Sequence, residues 1–185
     1  MTISVHTYKK IYELLADVTP LEYDCGQLCG SICCHGGQDL GIYLYPGEEK
    51  LFSGEEDWLE WEVHQVSEYD FPPSWQGTVD FIVCTKFCPR DKRPLQCRFF
   101  PLTAHLDQGG LVHIILDSLN LPYECPLISQ RMELRPDFVE RVYEAWLLLL
   151  TDDKIRDLVL WDSKARERDP NFIPEIVRSQ GDSPQ

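Results

Sequence analysis

Eight cysteines fall into two separated blocks, and any fold this chain adopts has to accommodate them. Cys25, Cys29, Cys33 and Cys34 lie in the stretch "DCGQLCGSICCHGG" from Asp24 to Gly37; Cys84, Cys88, Cys97 and Cys125 follow much later in the 185 residues. The N-terminal stretch "MTISVHTYKKIYELLADV" lacks the charged, apolar, small-residue order of a secretory leader, so a cytoplasmic, reducing setting is expected. There, clustered thiols point to metal or redox chemistry instead of covalent staples. Native disulfides are not expected. If both blocks serve one site, their sulfurs meet only when the chain between them has folded, which couples metal binding to folding.

The surroundings of the first block favour a ligand loop over a packed core. Between Asp24 and Gly41 stand five glycines (26, 30, 36, 37 and 41), which let the main chain approach a bound group closely. Cys25, Cys29 and Cys33 are four apart, so a helix would align their sulfurs on one face and a glycine loop would let them converge. His35 follows Cys34 directly and is a further candidate ligand. The second block, "FIVCTKFCPRDKRPLQCRFFPL", holds Lys86, Arg90, Lys92, Arg93 and Arg98, five of the chain's 17 basic residues. Thiolates are the ligating species, and nearby cations lower thiol pKa and offset the charge of a multi-thiolate site. Arg93 and Arg98, flanking Cys97, are therefore expected beside the sulfurs, donating hydrogen bonds to carbonyls or sulfur. Pro89, Pro94 and Pro101 stiffen the segment. Cys125 stands alone in "YECPL".

These residues carry a resemblance. Cys25, Cys29, the Cys33–Cys34 pair, Cys88 and the string "RPLQCRFFP" from Arg93 to Pro101 resemble the YkgJ-type cysteine-cluster family. That family is described as an eight-cysteine domain chelating zinc or iron, so the resemblance implies a metal site without implying a particular reaction. It covers roughly Cys25 to Cys125. The first motif departs from the family's C-x-x-C-x-x-CC: here it is C-x-x-x-C-x-x-x-CC, one residue longer in each gap. A similar cysteine block in flagellin lysine methylases implies a second expectation, a metalloenzyme. This chain shows no glycine-rich dinucleotide-type loop in support of it.

Spacing leaves zinc and an iron–sulfur cluster both open. Structural zinc sites are often built from C-x-x-C knuckles, which this chain lacks, whereas iron–sulfur clusters accept four cysteines at more varied spacing. The C-x-x-x-C-x-x-C pattern of radical enzymes fails at Ile32 and at Asp91. A thioredoxin-like redox pair would need a C-x-x-C beside a βαβ unit. All eight cysteines are taken as candidate metal ligands, in a site that is structural or electron-carrying.

Charge excludes other classes. Seventeen basic against 31 acidic residues give a net charge of −14, the opposite of the basic face that neutralises nucleic-acid phosphates. The acidic surface is a candidate docking face for a protein partner. The longest uninterrupted apolar run, Ala145–Leu150, is far below the roughly 20 residues of a membrane-spanning helix, so no membrane association is expected.

The remaining pattern predicts a single α+β domain over residues 1–177 with a disordered tail at 178–185. Tyr8, Ile11, Tyr12 and Leu15 share one face of a helix over 6–17, ahead of Pro20. A short strand is expected at Ile42–Tyr45, and another in "TVDFIVC" delivers Cys84; "EEDWLEWEV" fits either a helical turn or a strand. "FFPLTAHL" and "LVHIIL" flank Asp107–Gly110 as a hairpin, with His105 and His113 facing each other in ordinary cross-strand packing. After Pro136, a long helix presents Val139, Val142, Tyr143, Trp146, Leu147 and Leu150 on one face. Thr151–Asp153 caps a second helix carrying Ile155, Leu158 and Val159. Metal-ligand loops, a short antiparallel hairpin, and covering N- and C-terminal helices make up the expected architecture.

Overall fold

The chain is described here by a computed structural model covering residues 3–34, 41–118 and 121–182. Helix α1 (Val5–Leu14) leads into the short α2 (Gly26–Cys29), then strands β1 (Gly41–Tyr43), β2 (Leu59–Gln65) and β3 (Thr78–Cys84). Helix α3 (Leu95–Phe99), strands β4 (Leu102–Leu106) and β5 (Val112–Leu116), helices α4 (Pro126–Ser129), α5 (Pro136–Leu149) and α6 (Asp153–Glu167), and strand β6 (Ile176–Ser179) complete the order. The strands form two antiparallel three-stranded sheets, β1-β3-β2 and β4-β5-β6. The class is α+β, as the mixture of helical and alternating patterns implies.

Side-chain periodicity explains most of these elements. In α5, Val139, Val142, Tyr143, Trp146 and Leu150 are buried on one face, against β4 and β5 residues such as Ala104 and Ile114. Leu147, expected on that face, sits at its margin and is 39% exposed. Helix α6 begins where Asp152 accepts from the amides of Lys154 and Ile155, the N-cap chemistry its sequence implies. The same carboxylate, through its other oxygen, accepts from the Ile3 amide at 2.9 Å and so ties the N-terminal segment to the C-terminal helices. The ambiguous "EEDWLEWEV" is strand β2: Leu59 and Trp61 face the core cluster around Ile82 while Glu60 is exposed, a period of two.

Two boundaries depart from those expected. The boundary expected at residue 177 falls inside β6, which pairs with β5. Arg178 fixes it there: its guanidinium donates to Glu140 on α5, with Nε 2.9 Å from Oε2, and lies 4.4 Å over the Tyr143 ring. The first helix also stops at Leu14, short of the expected residue 17.

One buried carboxylate joins the elements that position the cysteines. Glu48, in a single helical turn over Glu48–Leu51, is 1% exposed. It accepts from Tyr12 Oη of α1 at 2.8 Å, from the Tyr45 amide at 3.1 Å, and from the Leu95 amide opening α3 at 2.9 Å. Burial raises its pKa, against the pull of these three donors. Glu48→Ala should orphan all three donors and cost about 3 kcal/mol or more in urea unfolding, while Glu48→Gln, which keeps one acceptor oxygen, should cost less. Equal stability of all three proteins would show that the ring of donors is satisfied elsewhere.

A cavity of about 520 Å³ opens between β4, α5 and α6. On its α6 wall, the Asp162 carboxyl is pushed up to about 6, first by burial and then by the charges of Asp117 and Asp70, with Arg166 pulling the other way. The folded pKa exceeds that of an unfolded aspartate. Stability from this group is thus complete at low pH and lost as pH rises from the ordinary aspartate range through about 6. Asp162→Asn should abolish that loss, gaining stability over wild type at pH 7.5 but not at pH 4 in paired thermal melts.

Candidate metal centre

Each cysteine is placed by an ordinary local cause. Cys25 is the N-terminal cap residue of α2 and Cys29 its last residue. The helix ends after one turn because Gly30 turns left-handed at φ 65°, followed by Ser31 at φ 58°, and the chain doubles back as the Ser31 amide donates to the Gly26 carbonyl at 2.8 Å. A Cβ on Gly26 would lie 2.2 Å from Ser31 Oγ, so a larger residue there would force the Ser31 hydroxyl aside. The result is neither of the regular alternatives: Cys25 and Cys29 bracket a helical turn, and Cys33 and Cys34 lie in the turn beyond it. His35 lies outside the described residues.

The second block arrives from the first sheet. Cys84 is the last residue of β3, and β1 pairs antiparallel with β3 so that Gly41 faces Val83. Sheet pairing thereby returns the chain that follows the first block to the end of β3. The Cys88 amide then donates to the Cys34 carbonyl at 3.2 Å, joining the two blocks through backbone. Cys97 rides on α3, whose first amide is held by Glu48, and Cys125 is the N-terminal cap residue of α4, its carbonyl accepting from the Ile128 amide at 3.0 Å.

The eight thiols are free, and they sense one another's charge. Cys33 and Cys34 have their sulfurs 3.7 Å apart. The Cys33 hydrogen bond is the main reason the Cys34 thiol is lowered to about 6; Arg93 and Arg90 add to it against burial. Cys33 itself is raised, as the donor of that bond. Cys84 and Cys88 influence each other as well: the Cys84 thiol is lowered mainly by Cys88, Cys88 is raised, and the Cys88 sulfur donates to the Pro89 carbonyl at 3.6 Å. Burial pushes Cys97 up to about 12 and Cys25 up to about 11. Across the blocks, Cys34 raises Cys84 and Cys97, Cys125 raises Cys25, and Cys29 raises Cys125. Among the described residues, no three Cys, His, Asp or Glu side chains close into a set able to hold a metal ion.

The basic residues divide by position. Arg93 stands among the thiols: Cys34, Cys88, Cys97 and Cys33 raise its pKa against the cost of burial, and its buried Nε has no hydrogen-bond partner among the described residues. Arg98, expected beside the sulfurs, instead faces the other way. It donates Nε to the Arg93 carbonyl at 2.6 Å and its terminal nitrogen to those of Arg90 and Asp91 at 3.1 and 2.8 Å, and it lies 4.4 Å over Tyr12. One residue is about 100° around a helix, which turns Arg98 away from the side that Cys97 faces. Lys86 pairs in solvent with Asp57 at 2.8 Å. His105 and His113 are register partners with rings 6.5 Å apart, each bound to its own neighbours, Glu167 for one and Ser179 with Asp107 for the other.

Sequence reasoning missed Tyr123. Burial raises its phenol, and the next causes are the charges of Cys33, Cys125, Cys97 and Cys34, sulfurs of both blocks. Its only signal was its position two residues ahead of Cys125. Comparison with family models, curated proteins and solved structures finds no match for the chain.

These positions separate two roles. Arg93→Gln should move the pH midpoint of Cys34 alkylation above about 6, because it removes a cation that favours the thiolate. Arg98→Gln should leave that midpoint in place and lower thermal stability, because it strips the donors from three loop carbonyls. The readout is iodoacetamide labelling of Cys34 against pH, followed by peptide mass spectrometry; identical midpoints in wild type and Arg93→Gln would dismiss the electrostatic role.

Proposed function

We propose that this chain is a metal-binding cysteine-cluster protein whose site, of iron–sulfur or zinc type, is structural or electron-carrying. The observation that carries the reading is the mutual electrostatic influence of thiols from two distant blocks, with Arg93 among them. Thiol groups are the donors that zinc and iron–sulfur clusters select, and the Cys34 and Cys84 thiols are both lowered toward the thiolate. By ligand type the donor set fits such a group, although no three of its side chains yet converge among the described residues. Cys25, Cys29, Cys33, Cys34, Cys84, Cys88, Cys97 and Cys125 are the residues proposed to hold it. Arg93 would offset its negative charge, and the Tyr123 phenol is raised by the charges of the same sulfurs. The resemblance in "RPLQCRFFP" supports the same reading. Among the described residues no helix is long and apolar enough to cross a membrane.

Anaerobic purification followed by absorption spectroscopy and metal analysis tests this. A brown protein with charge-transfer absorption identifies iron–sulfur, and a colourless protein with stoichiometric zinc identifies zinc. Removing the metal with a strong chelator should lower the melting temperature markedly, since its ligands come from separate segments. Protein without stoichiometric metal, or with two or more native disulfides after rapid alkylation, would overturn the proposal.

A further inference from the structure

Two of the eight thiols are already in contact. Cys33 and Cys34 are neighbours in the chain, and their sulfurs stand 3.7 Å apart and share a hydrogen bond. An extended chain would send successive side chains to opposite sides. Here the turn beyond α2 folds them together: Ser31 is left-handed at φ 58°, and the Cys34 amide donates to its carbonyl at 2.7 Å. Both cysteines are half-buried and so are not sealed from solvent. The Cys34 carbonyl accepts from the Cys88 amide at 3.2 Å, which makes this turn the carrier of a backbone joint between the two cysteine blocks.

A thiol in contact with a second thiol meets an oxidant differently from an isolated one. When one sulfur attacks the O–O bond of hydrogen peroxide, an S–O bond forms, and the leaving oxygen takes up the thiol proton and departs as water. The product is a sulfenic acid. The neighbouring thiol then attacks the sulfenic sulfur, forming the S–S bond and expelling a second water. Two thiols and one peroxide thus become one disulfide and two waters, with two electrons passing from sulfur to the peroxide oxygens. A resolving thiol already in contact lets the second step outrun further oxidation to sulfinic acid.

We propose that the Cys33–Cys34 pair is a hydroperoxide-sensing site that closes reversibly to a disulfide between adjacent residues and unlinks the two cysteine blocks. Reversibility follows from chain geometry. Consecutive Cα atoms are about 3.8 Å apart, below the roughly 4.4 Å at which ordinary disulfides begin, so the closed form stores strain and yields readily to a reducing thiol. Unlinking follows from the ring that closure makes, which includes the peptide bond between the two residues. Drawing the sulfurs to bonding distance turns that peptide, pulling the Cys34 amide from Ser31 and swinging the carbonyl that holds Cys88. A bound metal would lose two ligands at once; that consequence, unlike the closure itself, rests on the metal-binding reading.

The test takes the full chain, purified anaerobically, and adds one equivalent of hydrogen peroxide. Remaining thiols are alkylated, and fragment spectra of the peptide holding the first block locate the bond. It should join Cys33 to Cys34, with the other six cysteines alkylated, and dithiothreitol should restore both thiols. Amide hydrogen exchange at Cys88, read by NMR, should be roughly 10-fold faster in the oxidised protein, as expected of a local opening. A disulfide joining any other pair, sulfinic acid in place of a disulfide, or unchanged exchange at Cys88 once the pair has closed would each overturn the proposal. Metal content is measured on the same samples. Metal-free protein that closes the pair counts against the metal-binding reading and supports this one, whereas metal-loaded protein oxidised at other cysteines does the reverse.

Discussion

A carboxylate almost fully removed from water is stable only where donors surround it, and Glu48 has three, from α1, from the turn after β1, and from the first amide of α3. Helix α3 has five residues, too few to hold itself together, so its place depends on that amide and on the packing of Leu95 and Phe99. Cys97 is carried on it. The same Tyr12 that donates to Glu48 lies beneath the Arg98 guanidinium, which gathers the carbonyls of residues 90, 91 and 93. The order of the second cysteine block thus rests on one buried charge reached through α1.

Electrostatics inside the protein run against its overall sign. A chain of net charge −14 keeps Arg93 inward among sulfurs, while Lys86 is spent on an exposed pair with Asp57. Exposed pairs of that kind contribute little. A half-buried guanidinium with no carboxylate partner among the described residues is different, because its charge acts on the thiols around it and biases their ionisation. The Cys33–Cys34 pair adds a second bias, since one sulfur donates and the other is freed to lose its proton.

Much of the fold was legible where burial follows local period. Helices α1, α5 and α6 and the β4–β5 hairpin follow apolar spacing and turn residues that act over a few positions. Strand β6 was not legible: its four residues pair with β5 more than 60 positions earlier, and Arg178 reads as polar tail until Glu140 and Tyr143 are beside it. For the site, the cysteines announce themselves by number and grouping, but which arginine faces them does not follow from adjacency. Arg98 neighbours Cys97 in sequence and is rotated off by the helix, while Arg93, outside that helix, faces the sulfurs. Tyr123 enters through space alone.

The pairing of Gly41 with Val83 bears on how readily the two cysteine blocks find each other. A flexible chain pays for closing a loop roughly as the logarithm of its length, so joining Cys34 to Cys88 through an unstructured spacer would be entropically expensive. Here the spacer is a sheet whose own hydrogen bonds bring its two ends together. What remains to be closed is a few residues on either side. Sheet formation thus does the work of a tether, and the search for the opposing thiols becomes a short-range one whose speed depends little on the number of residues in the turns at the sheet's far end.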